Sequence, residues 1–479
     1  MKTPAAVIVV WTLSTGPLRA ETYIDELNPL FSEAPSITGH LRLYDFREWN
    51  SNNQPYPSQD TRNSFDNRGT AIGGDLLLKT GTIYGVSAGL SLYTQQAALD
   101  YGNENPSLAP HVSQIGEAYV RYESPISQIT AGRQLMDTPF ANGDMYTMLT
   151  RSFQGFSGVL DLGKPAVISQ QKVTGKFDFS ISAPFVFDTA PGDGDLKLYV
   201  ARMTKYQSRS SGDFTDENRY SAGLNNVDPT IPLNAPGLFA SGAQYAQGLS
   251  IGDVLVRGWA YNFFDYANLQ FLETGYQAPK VYGDAKPYGR IQFLHESDSG
   301  AALAGKVRAT YYGATFGVRT ATTDLAVILE NAPRHFGTFR NGGLVHPYSD
   351  LSGVLYDDTL NSGLEDLGPG KSLGAQANYS PSMKYTFGTK YVHYLAYYGT
   401  NGSFYAYNGP AYFSGKGLTS GQIVPDQSNY EWDISATLHG SALSSKLKGL
   451  SLSDSFGLRG GFGSLRTFAV NRLRIVYAF

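Results

Sequence analysis

The chain has 479 residues, with 53 Gly, 33 Tyr and 26 Phe, and its lack of Cys excludes thiolate metal sites and disulfide staples. Its 37 basic and 41 acidic residues give a formal charge of −4, which leaves no footprint for nucleic-acid binding. Beyond the N-terminus no stretch reaches the roughly 18 apolar residues that a spanning helix needs, so a membrane form of this chain must cross as strands of a closed barrel.

The first element is MKTPAAVIVVWTLSTGPLRA, residues 1–20. Lys2 supplies a positive start, Ala5 to Leu13 form a short apolar run, and Ala20 ends a plausible cleavage site. This pattern predicts a secretory signal too short to be an anchor, leaving residues 21–479 as the mature chain. Strands follow. A strand alternates its faces with period two, and a barrel strand shows apolar residues outward and polar ones inward. Near the start Leu41 and Leu43 flank Arg42. From 84 to 92 one face carries Tyr84, Val86, Ala88, Leu90 and Leu92, and the other carries Gly85, Ser87, Gly89 and Ser91. Ala118, Val120 and Tyr122 oppose Glu117, Tyr119 and Arg121. Leu196 and Leu198 oppose Lys197, Val307 and Ala309 oppose Lys306 and Arg308, and Tyr385 and Phe387 oppose Lys384 and Lys390. At the C-terminus Leu473, Ile475, Tyr477 and Phe479 share one face, with Arg472 and Arg474 on the other. A terminal aromatic behind alternate apolar residues is like the signal that the barrel-assembly machinery reads, which marks Phe479 and Tyr477 as assembly residues.

Alternation alone does not separate a barrel from a soluble sandwich. The connections do. Short candidate turns at 79–82, 123–127, 265–268 and 380–383 contrast with long Gly/Pro/Asn-rich candidates at 133–151, 207–247, 331–371 and 398–430, the asymmetry of short periplasmic turns and long outer loops. At about 10 residues per strand plus connections, the mature chain holds roughly 16 to 20 antiparallel strands. With the apolar face outward, the lumen positions collect cations although the chain is acidic, and acidic residues fall mostly to the outer loops. Arg42, Arg121, Lys197, Lys306, Arg308, Lys390, Arg472 and Arg474 then form a basic ladder that attracts anions, since focused charge raises counter-ion concentration and Arg or Lys rings select anions. Tyr84, Tyr122 and Tyr477 read as interface-girdle anchors, and Tyr119 and Phe140 as lumen candidates.

At 113–156, SQIGEAYVRYESPISQITAGRQLMDTPFANGDMYTMLTRSFQGF, the chain resembles the OprD family of substrate-specific outer-membrane porins. The resemblance is carried by Ile115, Gly116 and Ala118, by Gly132 and Gln134, and by Ser152, Phe153 and Gly155. Weaker agreement runs through 41–47, 75–89, 261–276 and 471–473. It implies an 18-stranded barrel in the cell outer membrane. It implies an inward constriction loop, here 134–152, with Thr138, Phe140, Asp144 and Tyr146 at its heart, and passive uptake of small carboxylate-bearing solutes such as amino acids or aromatic acids, or of chito-oligosaccharides in some relatives. Where the family often has an Arg and a Pro, this chain has Thr147 and Thr150; the neighbouring Arg151 is the substitute cation, added to the ladder at another depth.

Three other readings stand beside this one. A barrel enzyme lacks support, since no G-x-S-x-G motif occurs, the seven His (40, 111, 295, 335, 346, 393 and 439) give no metal spacing, and Gly460-Gly461-Phe462-Gly463 has no strand-helix context for a nucleotide. A plugged adhesive barrel is compatible with the long loops. An unselective or oligosaccharide porin suits the many aromatics. The expected partners are outer-membrane lipid and lipopolysaccharide, the barrel-assembly machinery and small solutes, with no nucleic acid, cofactor or metal, in a monomer or loose trimer.

Overall fold

Alternating stretches of this kind cannot bury both faces in one protein core. They can close on themselves, with one face to lipid and one to a lumen. The computed structural model shows this closure. It describes residues 33–49, 67–99, 111–143, 148–162, 194–208, 213–216, 218, 236–348, 354–396, 427–460 and 468–479. The predicted signal at 1–20 lies outside them, as do Asp144 and Tyr146.

The strands are β1 (Ser36–Trp49), β2 (Asn67–Lys79), β3 (Val86–Leu99), β4 (Val112–Glu123) and β5 (Ser127–Gln134). A small hairpin of β6 (Asp137–Thr138) and β7 (Ala141–Asn142) stands apart from the wall. Then come β8 (Ser152–Asp161), β9 (Gly194–Gln207), β10 (Leu238–Leu249), β11 (Gly252–Phe263), β12 (Ala267–Gln277) and β13 (Lys286–Asp298). The wall is completed by β14 (Arg308–Arg319), β15 (Thr323–Ala332), β16 (Gly370–Ser382), β17 (Tyr385–Ala396), β18 (Gln427–His439), β19 (Leu450–Gly460) and β20 (Phe468–Ala478). Apart from the hairpin they make one 18-stranded sheet. Each wall strand pairs antiparallel with the next, and β1 also pairs with β20, Leu43 facing Ile72 on one side and Ile475 on the other.

Burial follows the pleat. Leu90, Val120, Ile129, Leu325 and Leu373 are exposed on the outside, while Ser87, Ser91, Gln114 and Thr130 are buried inside. Tyr84 is a correction: it sits in the two-residue turn before β3, not on the strand, with φ +51 and Gly85 at +83, both on the positive side that such hairpin turns require. The predicted turns at 79–82, 123–127 and 380–383 fall at the end of the barrel that carries Phe479. The turn at 265–268 does not. It joins β11 to β12 at the opposite end, among the long loops.

Candidate functional site

Two connections at that opposite end fold back into the barrel. The first runs from β5 to β8. Its Met136, Phe140, Ala141, Asn142, Met148, Leu149, Thr150 and Arg151 are all buried. Phe140 is fully buried and meets Tyr261 and Phe271 edge-on, with centroids 5.9 and 5.4 Å away. Thr138 closes the hairpin by donating to the Ala141 carbonyl at 2.6 Å, and the Thr150 hydroxyl donates to Tyr93 at 3.1 Å. Where it is described, this connection packs its side chains against the inner side of β11 and β12.

The second, the long connection between β15 and β16, does not stand outside the barrel but folds into the lumen. Its apolar residues explain why: Leu344, Val345, Tyr348, Leu355, Leu360 and Leu364 are buried. Taking its backbone out of water requires partners, and the barrel wall supplies them. The Val345 amide donates to Glu296 at 2.7 Å and the Tyr356 amide to Glu330 at 2.8 Å. The Leu360 amide donates to Asp433 at 2.7 Å, and the Asn361 amide to Glu431 at 2.8 Å. From the same wall Lys390 donates to the carbonyls of Tyr356 and Asp358, Arg472 donates to the Leu360 carbonyl at 3.0 Å, and Arg459 donates to the Asn361 carbonyl at 3.3 Å.

These bonds correct the ladder in two ways. The acidic residues are not mostly in outer loops: Glu117, Glu273, Glu296, Glu330, Glu431 and Asp433 are buried on the inner face. The cations are partly committed. Lys390 and Arg472 hold the second loop, and Arg42 pairs with Asp75 and donates to the Met148 carbonyl at 3.4 Å. Arg121 faces inward, donating to Thr130 at 3.0 Å and lying 3.7 Å from Glu123, with its guanidinium over the Tyr119 ring. Arg474 lies over Tyr44 at 4.8 Å. Lys197 also faces inward, 4.0 Å from Asp161. Arg151 is buried at the end of the first loop.

Lys306 and Arg308 are corrections. Val307 and Ala309 are the buried residues here, and Lys306 and Arg308 are exposed on the other face. At this end of the barrel the interior is filled by the folded loops, so apolar residues face inward and the rule inverts. Among the described residues parity also missed inward cations, with Arg257, Arg290, Arg319 and Arg459 among them. Arg257 pairs with Glu273, and Arg290 lies 4.0 Å from the same carboxylate. Arg319 holds Asp324 at 2.7 Å, and Arg459 sits beneath the second loop. Their strands carry Gly, Trp or Gln beside them, which blurs the alternation.

The inner face is also shaped by glycine. A Cβ at Gly89, Gly242 or Gly317 would collide with the ring of Tyr119, Trp259 or Tyr288 on the neighbouring strand. Each ring lies flat along the wall over its partner glycine. At the chain's end Phe479 exchanges backbone hydrogen bonds with Gly39, at 3.1 and 3.2 Å, and its ring stacks 6.4 Å from Tyr477, both rings being exposed on the outside.

By sequence, no protein-family model matches the chain, and no curated protein does. By structure it is similar to solved porins. A crystal structure of Pseudomonas aeruginosa OpdK with vanillate superposes with a TM-score of 0.65 at 16% identity, over 94% of this chain and 99% of that one. A BenF-like porin from Pseudomonas fluorescens gives 0.66 at 15% identity, over 94% and 99%. Pseudomonas aeruginosa OccK2 (OpdF) in complex with glucuronate gives 0.61 at 14% identity, over 93% and 96%. The fold is that of these porins along nearly the whole chain.

Proposed function

We propose that this chain is an OprD-type porin of the outer membrane, a passive channel for small solutes that favours carboxylate-bearing ones. The observation that carries the reading is the inner wall below the two loops. Arg42, Arg121, Lys197, Arg257, Arg290 and Arg474 project inward from β1, β4, β9, β11, β13 and β20, and so from both sides of the barrel. Guanidinium groups suit carboxylates because they offer paired donors in a plane. The two loops narrow the path above them, so a solute meets the cations one after another. The matched carboxylates Asp75, Glu123, Asp161 and Glu273 temper the field, which favours a selective channel for weakly charged solutes over an open anion pore. Two of the similar porins carry ligands of this class, vanillate and glucuronate.

Single-channel recording of the purified protein in a planar bilayer tests this. A salt gradient should give a reversal potential on the anion side, and vanillate or glucuronate should block the current. Cation selectivity together with block by chito-oligosaccharides alone would replace this reading with the sugar-porin one. Assembly by the barrel-assembly machinery, through Phe479 and Tyr477, is part of the same proposal.

A further inference from the structure

The two cations that parity misplaced stand in a group of their own. Lys306 and Arg308 are exposed on the outer side at the loop end of β14. Two strands on, Lys371 is exposed at the same end of β16, and His393 on β17 faces outward beside it. His335, just after β15, lies close enough to Arg308 and to His295 on β13 that their charges, after burial, hold its imidazole below its ordinary range. Its Nε2 has no hydrogen-bond partner among the described residues. No ion pair joins Lys306, Arg308 or Lys371 to an acid among the described residues either. The acids nearest along the strands flank Ser297, the register partner of Arg308: Glu296, which is buried on the inner face, and Asp298.

Directly below this rim the outer wall is grooved. Tyr312, Leu329, Leu373 and Leu395 line the groove, and Lys371 and His393 stand along it. Cations above an apolar groove on a lipid-facing wall complement an amphiphile whose charged end is anionic. Neighbouring strands lie about 4.8 Å apart, so Arg308 on β14 and Lys371 on β16 stand about 10 Å apart across the sheet, and the register pairs Tyr312–Asn331 and Asn331–Lys371 set them further apart along the strands. One phosphate cannot reach across that width, and a headgroup with two can.

We infer that the loop end of β14–β17 is a binding site for a bisphosphorylated, acylated glycolipid of the outer leaflet. Its phosphates sit against Arg308 and Lys371, and an acyl chain lies in the groove over Leu329 and Leu373. The site rests on the outer-membrane reading above, but not on what the channel conducts. It also accounts for cations placed where the lumen cannot use them, since a lipid-facing Arg costs far less near the headgroups than at the midplane.

The test uses the full-length folded protein in detergent and native mass spectrometry with hexa-acylated bisphosphoryl lipid A, its monophosphoryl form, and phosphatidylglycerol. Wild type should retain the bisphosphoryl lipid, the monophosphoryl form less, and phosphatidylglycerol least. The double variant R308A/K371A should lose tenfold or more of that retention. R47A, which removes an exposed cation from β1, should lose none. Undiminished lipid A binding by R308A/K371A, or equal retention of phosphatidylglycerol by wild type, overturns the site. Heat-modifiable migration confirms that each variant is folded. Conductance of the same preparations separates the two readings: a wild-type barrel that binds lipid A without conducting refutes the channel and leaves the lipid site standing.

Discussion

Asn361 is where the second inward loop is most open to a clean perturbation. Its side chain bridges opposite charges, Nδ2 donating to Glu431 at 3.0 Å and Oδ1 accepting from Arg472 at 2.9 Å. Asn361→Ala removes both bonds and leaves Glu431 the Asn361 amide and Arg472 the Leu360 carbonyl, so neither charge is stranded. A hydrogen bond to a charged group contributes about 1.5–3 kcal/mol. Asn361 is only half-buried, so the lower end applies, and the pair together stabilises docking by about 3 kcal/mol. The loop tip should then open about a hundredfold more often. Hydrogen exchange at the amides of Leu360 and Asn361 should quicken by that factor, and single-channel traces should show added brief openings to a higher conductance. If exchange and conductance both match wild type, the carboxylate and arginine contacts do not hold this loop, and the account of the lumen given above is wrong.

Phe140→Ala should free the first loop, because emptying a fully buried Phe site costs about 3–5 kcal/mol; conductance should rise while the folded band persists on semi-native gels. Replacing Arg121 and Arg474 by Gln should move the reversal potential toward cations at low salt, an effect that shrinks as the screening length falls from about 10 Å at 0.1 M to about 3 Å at 1 M; unaltered selectivity at low salt would sink the ladder. Burial in the second loop pushes the Asp357 carboxyl up to about 6, from an ordinary value of 3.8. The docked loop therefore keeps a proton that the free loop releases, so docking weakens as pH rises from about 4 through 6 and levels off above; recordings should show more openings at pH 7 than at pH 4, and Asp357→Asn should flatten that difference. Phe479→Glu should slow assembly, read as delayed appearance of the heat-modifiable form after export.

The barrel was legible because period-two alternation survives wherever a strand has lipid on one side and water on the other. Arg42, Arg121, Lys197, Lys390, Arg472 and Arg474 all sit on the face that their apolar neighbours assign. The rule failed at Lys306 and Arg308, where the inner face meets packed loop, so Val307 and Ala309 point in. The second inward loop was misread for a different reason. Its glycines and asparagines look like those of any outer loop, and its fate depends on wall carboxylates far away in sequence. The one local signal was its Leu, Val and Tyr content, more than an exposed loop has use for. Apart from Glu117, the inward acids were missed because the reading followed cations alone, although Glu273 and Glu330 alternate with apolar residues as clearly as Lys390 does.

The abundance of Gly and of aromatics, which first set this composition apart, has a dimensional meaning. Tyr119, Trp259 and Tyr288 would each reach toward the axis if they stood upright, and they lie down only because Gly89, Gly242 and Gly317 leave their neighbours no side chain. The bore is therefore set as much by where side chains are missing as by where they are present. One methyl group added at Gly89 would tilt a phenol into the path without altering a strand, a charge or a loop. A chain of this architecture can thus change the size of what it admits by single alanine-for-glycine steps, and leave untouched the charges that decide what it prefers.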